Sequence, residues 1–186
     1  FPKLFIGSEG TLGVFSEAVI QLVDRPQATV TGMIHFQYLE EMGEAVHQLL
    51  KLDPLALEVM DANTLDLIGR KQYYIPDDAA ATLLIEFDEA ADHGGISQLQ
   101  EACRRYRLSS EPVIATDLEQ QEELWKARKA LYPTLYGYDA RKKPINYVDD
   151  VVVASERIGD LIRYLDGLFG EAKIPLAIFG HIGNGN

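Results

Sequence analysis

The chain has a single cysteine, Cys103, among its 186 residues. One cysteine excludes an internal disulfide and suits a reducing compartment, so a cytoplasmic protein is expected. No apolar run approaches the roughly 18 residues of a membrane-crossing helix, and no span is expected. Basic residues are scarce: 17 Lys and Arg stand against 29 Asp and Glu, a net charge of −12. Nucleic-acid binding needs a basic face. The one basic cluster, Arg141-Lys142-Lys143, reads as a solvated loop, so no nucleic-acid partner is expected. The start, Phe-Pro-Lys, has no initiator Met or signal-peptide pattern. The end, Gly-Asn-Gly-Asn, stops inside a turn-like motif. Both lead us to expect an excised fragment.

What is present is ample apolar material, 47% of residues, enough for one domain with a real core. Val14–Val23 is rich in Val, Ile and Leu and reads as a strand. Asp24-Arg25-Pro26 punctuates it, and we place the main boundary there. Further strands are predicted at Thr29–Phe36, Leu55–Met60, Thr82–Phe87, Pro112–Ala115, Asn146–Val153 and Ile174–His181. Between them apolar residues recur at helical spacing. Helices are predicted from Leu39 to about Leu52, after Asp61, and over Ile96–Arg107. Two more run from Thr116 to about Tyr132, stopped by Pro133, and along the stripe Ile158 to Phe169. Lys71–Ala80 has no clear period and reads as loop. Asp61, Thr116 (with Glu119) and Ser155 are predicted helix caps. The alternation gives an α+β fold, with ferredoxin-like β-α-β units on a mainly antiparallel sheet. No internal repeat of fixed period is present.

Three stretches could carry chemistry. The first is Phe5-Ile6-Gly7-Ser8-Glu9-Gly10-Thr11-Leu12-Gly13. Glycines permit φ > 0 and close approach, and successive N–H groups in such a turn can cradle an anion. A phosphate-bearing cofactor fits this loop, and so does a plain tight turn. It is neither a P-loop nor GxGxxG. The second is Phe179-Gly180-His181-Ile182-Gly183-Asn184-Gly185-Asn186, an apolar strand delivering His181 to a turn. Asn184-Gly185 is also a hairpin signal, and one histidine alone is not a metal site. The third is Leu124-Trp125-Lys126-Ala127-Arg128. Its arginine can bind a carboxylate through a planar fork, or can lie on a helix surface. Cys103, within a helical pattern, reads as core.

Together these stretches resemble the FAD-linked 2-hydroxy-acid oxidases and dehydrogenases. Gly7–Gly13, continued by Val14-Phe15-Ser16-Glu17-Ala18, is similar to their GSEGTLG-(I/V)-x-T-E-A signature, with Ser16 for Thr. His181 matches the first histidine of G-H-x-G-D-G-N-x-H, with Asn184 where Asp is usual. Arg128 matches the arginine of L-W-x-x-R. Leu57-Glu58-Val59-Met60-Asp61 resembles A-L-E-x-(M/L)-D, and Asp149-Asp150-Val151-Val152-Val153-Ala154 resembles E-D-V-x-V-P. These two support the resemblance without adding chemistry, and Asp149 and Asp150 read as solvated strand-end charges.

The resemblance implies a fragment of an enzyme oxidising glycolate or D-lactate. Residues 1–26 would end the FAD-binding domain, and residues 27–186 would form the substrate or cap domain. Gly7, Ser8, Gly10, Thr11, Leu12 and Gly13 would touch FAD. Arg128 would bind the substrate carboxylate, and His181 would help hold a divalent metal such as zinc or manganese. It further implies a small 2-hydroxy-acid substrate and an electron acceptor or partner subunit, and is compatible with a homo-oligomer. The rival is a non-catalytic ferredoxin-like module that binds a ligand or a partner.

Overall fold

The structure is a computed structural model that describes residues 2–88, 95–145 and 151–185. Its centre is a five-stranded sheet in the order β4-β1-β3-β2-β5. The strands are β1 (Thr29–Phe36), β2 (Ala56–Asp61), β3 (Ala81–Asp88), β4 (Val113–Ala115) and β5 (Phe179–Gly180). Every pairing is antiparallel. β3 lies between β1 and β2, so those two run parallel and form a split β-α-β unit. The expected α+β fold is present.

The central strands are apolar along nearly their whole length because helices cover both faces. Alternate residues of a strand point to opposite sides. One face carries Ile34 and Phe36 from β1, Leu57 and Val59 from β2, and Leu83, Ile85 and Phe87 from β3. Against it pack α2 (Leu39–Leu49), α4 (Gly95–Cys103) and α7 (Ile158–Glu171). At Gly43 of α2 an added Cβ would come within 3.1 Å of the Gly159 backbone nitrogen in α7. The two helices therefore cross at contact distance, which a side chain there would prevent. The opposite face carries Met33, Met60 and Leu84. It is covered by α3 (Ala62–Ile68), α5 (Leu118–Lys129) and α6 (Leu131–Gly137). Buried Cys103 belongs to the first core, and burial pushes its thiol up to about 11.

The differences from expectation have local causes. Residues 12–27 form no helix or strand. The predicted strand Val14–Val23 has no pairing partner among the described residues, and a strand without a ladder is not a strand. Before it lies only α1 (Pro2–Phe5), a single turn. The helix after Thr116 is capped by Asp117, whose carboxylate accepts from Gln120 N–H at 2.9 Å. It ends at Lys129 because residue 133, the next donor for the Lys129 carbonyl, is proline. α6 then begins at once, with Pro133 in its first turn, where no intrahelical donor is missed.

Helix α4 ends at Cys103, short of Arg107. Ser155 opens a 3-10 turn and meets His47 Nδ1 at 3.1 Å instead of capping α7. The loop over 71–80 begins as a 3-10 turn, Arg70–Tyr73. Of the predicted strand Ile174–His181 only Phe179–Gly180 pairs. The carbonyl of Ile178 accepts from Asp61 N–H, and its N–H donates to the Asp61 carboxylate. Ile182–Asn184 is a 3-10 turn closed by Gly185, not a hairpin. The predicted strand Asn146–Val153 lies outside the described residues over 146–150. Residues 151–153 form no strand. Asp149 and Asp150 also lie outside the described residues.

Candidate functional site

The second face of the sheet is less apolar than the first. Its register sets Thr31 opposite Glu86, Met33 opposite Leu84 and His35 opposite Thr82. In β2 it adds Glu58 opposite Leu84 and Met60 opposite Thr82. A carboxylate on a covered face is costly unless it is paired. Both glutamates meet donors from α5.

Helix α5 crosses the strands in their spatial order and is tied to each by a polar side chain. Gln121 donates to the Thr29 carbonyl of β1 and accepts from the Thr29 hydroxyl at 2.9 Å. The Trp125 indole N–H donates to Glu86 of β3 at 3.1 Å, and the Thr31 hydroxyl shares that oxygen. Arg128 donates through Nε to Glu58 of β2 at 2.9 Å. Positions 121, 125 and 128 are four and three residues apart, so they lie on one helix face. This explains the Leu-Trp-x-x-Arg spacing: tryptophan and arginine reach two carboxylates on adjacent strands.

Around Arg128 the site closes on strand β5. The Arg128 guanidinium carbon lies 5.0 Å from the centre of the Phe179 ring. Tyr132 packs edge-on against that ring, 5.4 Å between centres. Met60 pairs with Phe179 and Val59 with Gly180. Continuing that register by one residue sets His181 opposite Glu58. The His181 Nδ1 is paired with Glu58 Oε1, while Arg128 takes Oε2. Glu58 is 6% exposed, Arg128 15% and His181 69%. Among the described residues, the two terminal Nη groups of Arg128 have no hydrogen-bond partner. A mostly buried guanidinium whose two Nη groups have no hydrogen-bond partner among the described residues suits an end-on, two-point contact with a carboxylate.

Residues 25–186 match the family of FAD linked oxidases, C-terminal domain. The chain belongs to that family. A glycolate oxidase subunit, GlcD, from Bacillus subtilis (strain 168) is 29% identical over 189 residues, covering 99% of this chain and 39% of that protein. A D-lactate dehydrogenase from Archaeoglobus fulgidus is 31% identical over 98% of this chain and 40% of its own length. A D-2-hydroxyglutarate dehydrogenase from Stutzerimonas stutzeri (strain A1501) is 28% identical over 99% and 40%. The chain thus spans about two fifths of these curated relatives.

For this FAD linked oxidase C-terminal domain, the structure brings Arg128 and His181 together through Glu58. It leaves Gly7–Gly13 apart from them in the chain's exposed first segment. That loop is two successive turns, with Ser8 N–H donating to Phe5 O and Thr11 N–H to Ser8 O. Gly7 and Gly10 have φ of +78° and +79°, with open space where a Cβ would sit. The backbone at these two glycines is thus open to close approach, and Glu9 is exposed.

No helix among the described residues is long and apolar enough to cross a membrane. Among the described residues no three His, Cys, Asp or Glu side chains converge as metal ligands do. The metal expected at His181 is thus not supported: the carboxylate beside that histidine is already committed to Arg128.

Sequence reasoning passed over Glu58 and Glu86. The signal was present. An acid inside a run such as Leu57-Glu58-Val59-Met60 or Leu84-Ile85-Glu86-Phe87, buried on both sides, requires a donor from the covering helix.

Proposed function

We propose that this chain is the substrate-side part of an FAD-dependent oxidoreductase that converts a 2-hydroxy acid, of glycolate or D-lactate type, to the 2-oxo acid. The observation that carries this reading is the terminal end of Arg128, which has no hydrogen-bond partner among the described residues and is held on a mostly buried ion pair beside His181. The relatives, named for glycolate, D-lactate and D-2-hydroxyglutarate, point the same way. Arg128 would receive the substrate carboxylate end-on through its two Nη groups. Phe179 and Tyr132 would wall the site and limit water. FAD, when bound, supplies the hydride acceptor for C2 of the substrate.

Residues 1–26 belong, in this reading, to the end of a flavin-binding domain, and 27–186 to the substrate domain. Gly7, Ser8, Gly10, Thr11, Leu12 and Gly13 would touch the flavin cofactor from the edge of that domain. The apolar side chains of Val14, Val19, Ile20, Leu22 and Val23 are highly exposed. They suit burial against such a neighbour, since a contiguous exposed apolar stretch marks a contact surface. The chain alone would bind FAD poorly and turn nothing over. His181 would act beside Arg128. The residues described do not fit a metal centre by themselves, and no step is assigned to one.

The test uses the protein carrying its flavin domain. A panel of 2-hydroxy acids with a dye acceptor should show turnover, and Arg128→Lys should lower kcat/KM on the order of tenfold or more. Lysine keeps the charge but loses the fork. Absence of turnover across the panel, with flavin bound, would contradict the reading and favour a non-catalytic ligand-binding module.

A further inference from the structure

We propose that Glu58 is the positioning residue of this site, one carboxylate fixing both the exposed edge of Arg128 and the tautomer of His181. The proposal rests on the reading of Arg128 given above. Glu58 lies in mid-strand β2 with its carboxyl almost fully buried, and each oxygen has a different partner. Oε2 accepts from Arg128 Nε–H at 2.9 Å. Oε1 pairs with His181 Nδ1. The β2–β5 ladder brings the two together: Glu58 and His181 each stand one residue beyond its last pair, Val59 with Gly180.

Two chemical consequences follow. An arginine offers two faces to a carboxylate: a side-on face using Nε with one Nη, and an end-on face using both Nη groups. Glu58 occupies Nε, so the end-on face is the one presented. The Phe179 ring against the guanidinium restrains its plane. For the histidine, an ionised carboxylate only accepts. Nδ1 must therefore carry the hydrogen, and the neutral ring holds its lone pair on Nε2, the nitrogen turned away from Glu58. A histidine oriented this way by a carboxylate on its other nitrogen is pre-set to accept a proton or a ligand at Nε2.

Glu58→Gln is the discriminating change. Glutamine keeps the length but has one acceptor and one donor. If its oxygen keeps Arg128, its NH2 faces His181 Nδ1, which must then become the acceptor, and the proton moves to Nε2. The experiment uses the flavin-bearing protein, with ring nitrogens of histidine labelled and His181 assigned by loss of its signal in His181→Asn. At mildly alkaline pH, wild type should show His181 as the Nδ1–H tautomer and Glu58→Gln as Nε2–H. In kinetics, Glu58→Gln should raise KM for a 2-hydroxy acid and lower kcat, each on the order of several-fold to tenfold, at unchanged flavin content.

Glu58→Asp, which keeps the charge but is one methylene too short to span both partners, should lose activity in the same way. A wild-type His181 found as Nε2–H would overturn the proposal, even if no variant folds. So would variants that lose melting temperature yet match wild-type kinetics per bound flavin. A tautomer switch in a protein that oxidises no 2-hydroxy acid would support the positioning geometry and overturn only the functional reading beneath it.

Discussion

The two faces of one sheet are built differently. The face under α2, α4 and α7 is closed mainly by aliphatic and aromatic side chains: Ile34, Phe36, Leu57, Val59, Leu83, Ile85 and Phe87, with Asp61 at its margin. The face under α3, α5 and α6 mixes Met33, Met60 and Leu84 with Thr31, His35, Glu58, Thr82 and Glu86, nearly all of them paired across to a neighbour. Apolar contact is non-directional and roughly proportional to area, so the first face secures the fold and tolerates small shifts. Hydrogen bonds are directional, so the second face fixes where particular side chains stand. Non-directional packing and directional pairing are thus divided between opposite sides of the same strands, and Arg128 sits on the side where geometry is enforced.

The strongest way to break this comparison is to damage the first face. Phe36 is fully buried and packs against Tyr106 at 5.9 Å between ring centres. Phe36→Ala should cost about 3–5 kcal/mol in chemical denaturation. The folded fraction should keep its wild-type KM. A change in KM as large as the change in stability would mean the faces are not separable.

Acid should act next, and on the second face. His35 is buried there with Nδ1 2.8 Å from the Thr82 hydroxyl. Burial, and then the Arg70 charge, push it from 6.5 down to about 4. The unfolded chain therefore takes up a proton before the folded one does. Stability from this group is complete above about pH 6.5, falls as pH drops towards 4, and levels off below. The loss approaches about 3 kcal/mol, at 1.36 per pKa unit. Measured against His35→Gln, which lacks the titration, wild type should lose that margin between pH 6.5 and 4. Parallel curves for the two proteins would remove His35 as the cause.

A smaller effect belongs to Asp61, at the end of β2. Its carboxylate caps α3 through Thr64 N–H at 2.9 Å and holds Ile178 N–H at 3.0 Å. Burial raises its pKa above the usual carboxylate value, against the lowering effect of those hydrogen bonds. Asp61→Ala should cost about 1–2 kcal/mol, the scale of a lost cap, and should loosen the approach to β5. Protection of the Ile178 and Thr64 amides in hydrogen exchange would report it.

The smallest change in stability is expected at His181. Its side chain is 69% exposed, and Glu58 keeps Arg128 when the imidazole is gone. His181→Ala should leave the melting temperature nearly unchanged while lowering turnover. A collapse in melting temperature would make the histidine a structural residue of the turn.

Much of this was legible in the residues. The β1 limits Thr29–Phe36 and the α7 stripe from Ile158 follow from period alone, because a covered strand is uniformly apolar and an amphipathic helix repeats at 3.6 residues. Arg128 and His181 were legible as motif positions. Their shared partner was not, because pairing across a sheet depends on register, which single-strand patterns do not encode. Val14–Val23 failed for the opposite reason. Its composition suits a strand, but a ladder needs a second strand, and the described chain offers none there. Thr116 lost the cap to Asp117 because both neighbours are good capping residues, and only the helix start decides between them.

The central claim is that Arg128 reads a substrate carboxylate. The most direct measurement compares kcat/KM of the flavin-bearing protein for a 2-hydroxy acid and for its uncharged amide, in wild type and in Arg128→Lys. A two-point charged contact is worth about 1.5–3 kcal/mol, so wild type should favour the acid by on the order of ten- to a hundredfold. Arg128→Lys should lose most of that preference by falling on the acid while leaving the amide nearly unchanged. An equal fall on both compounds, or an undiminished preference, would contradict the account.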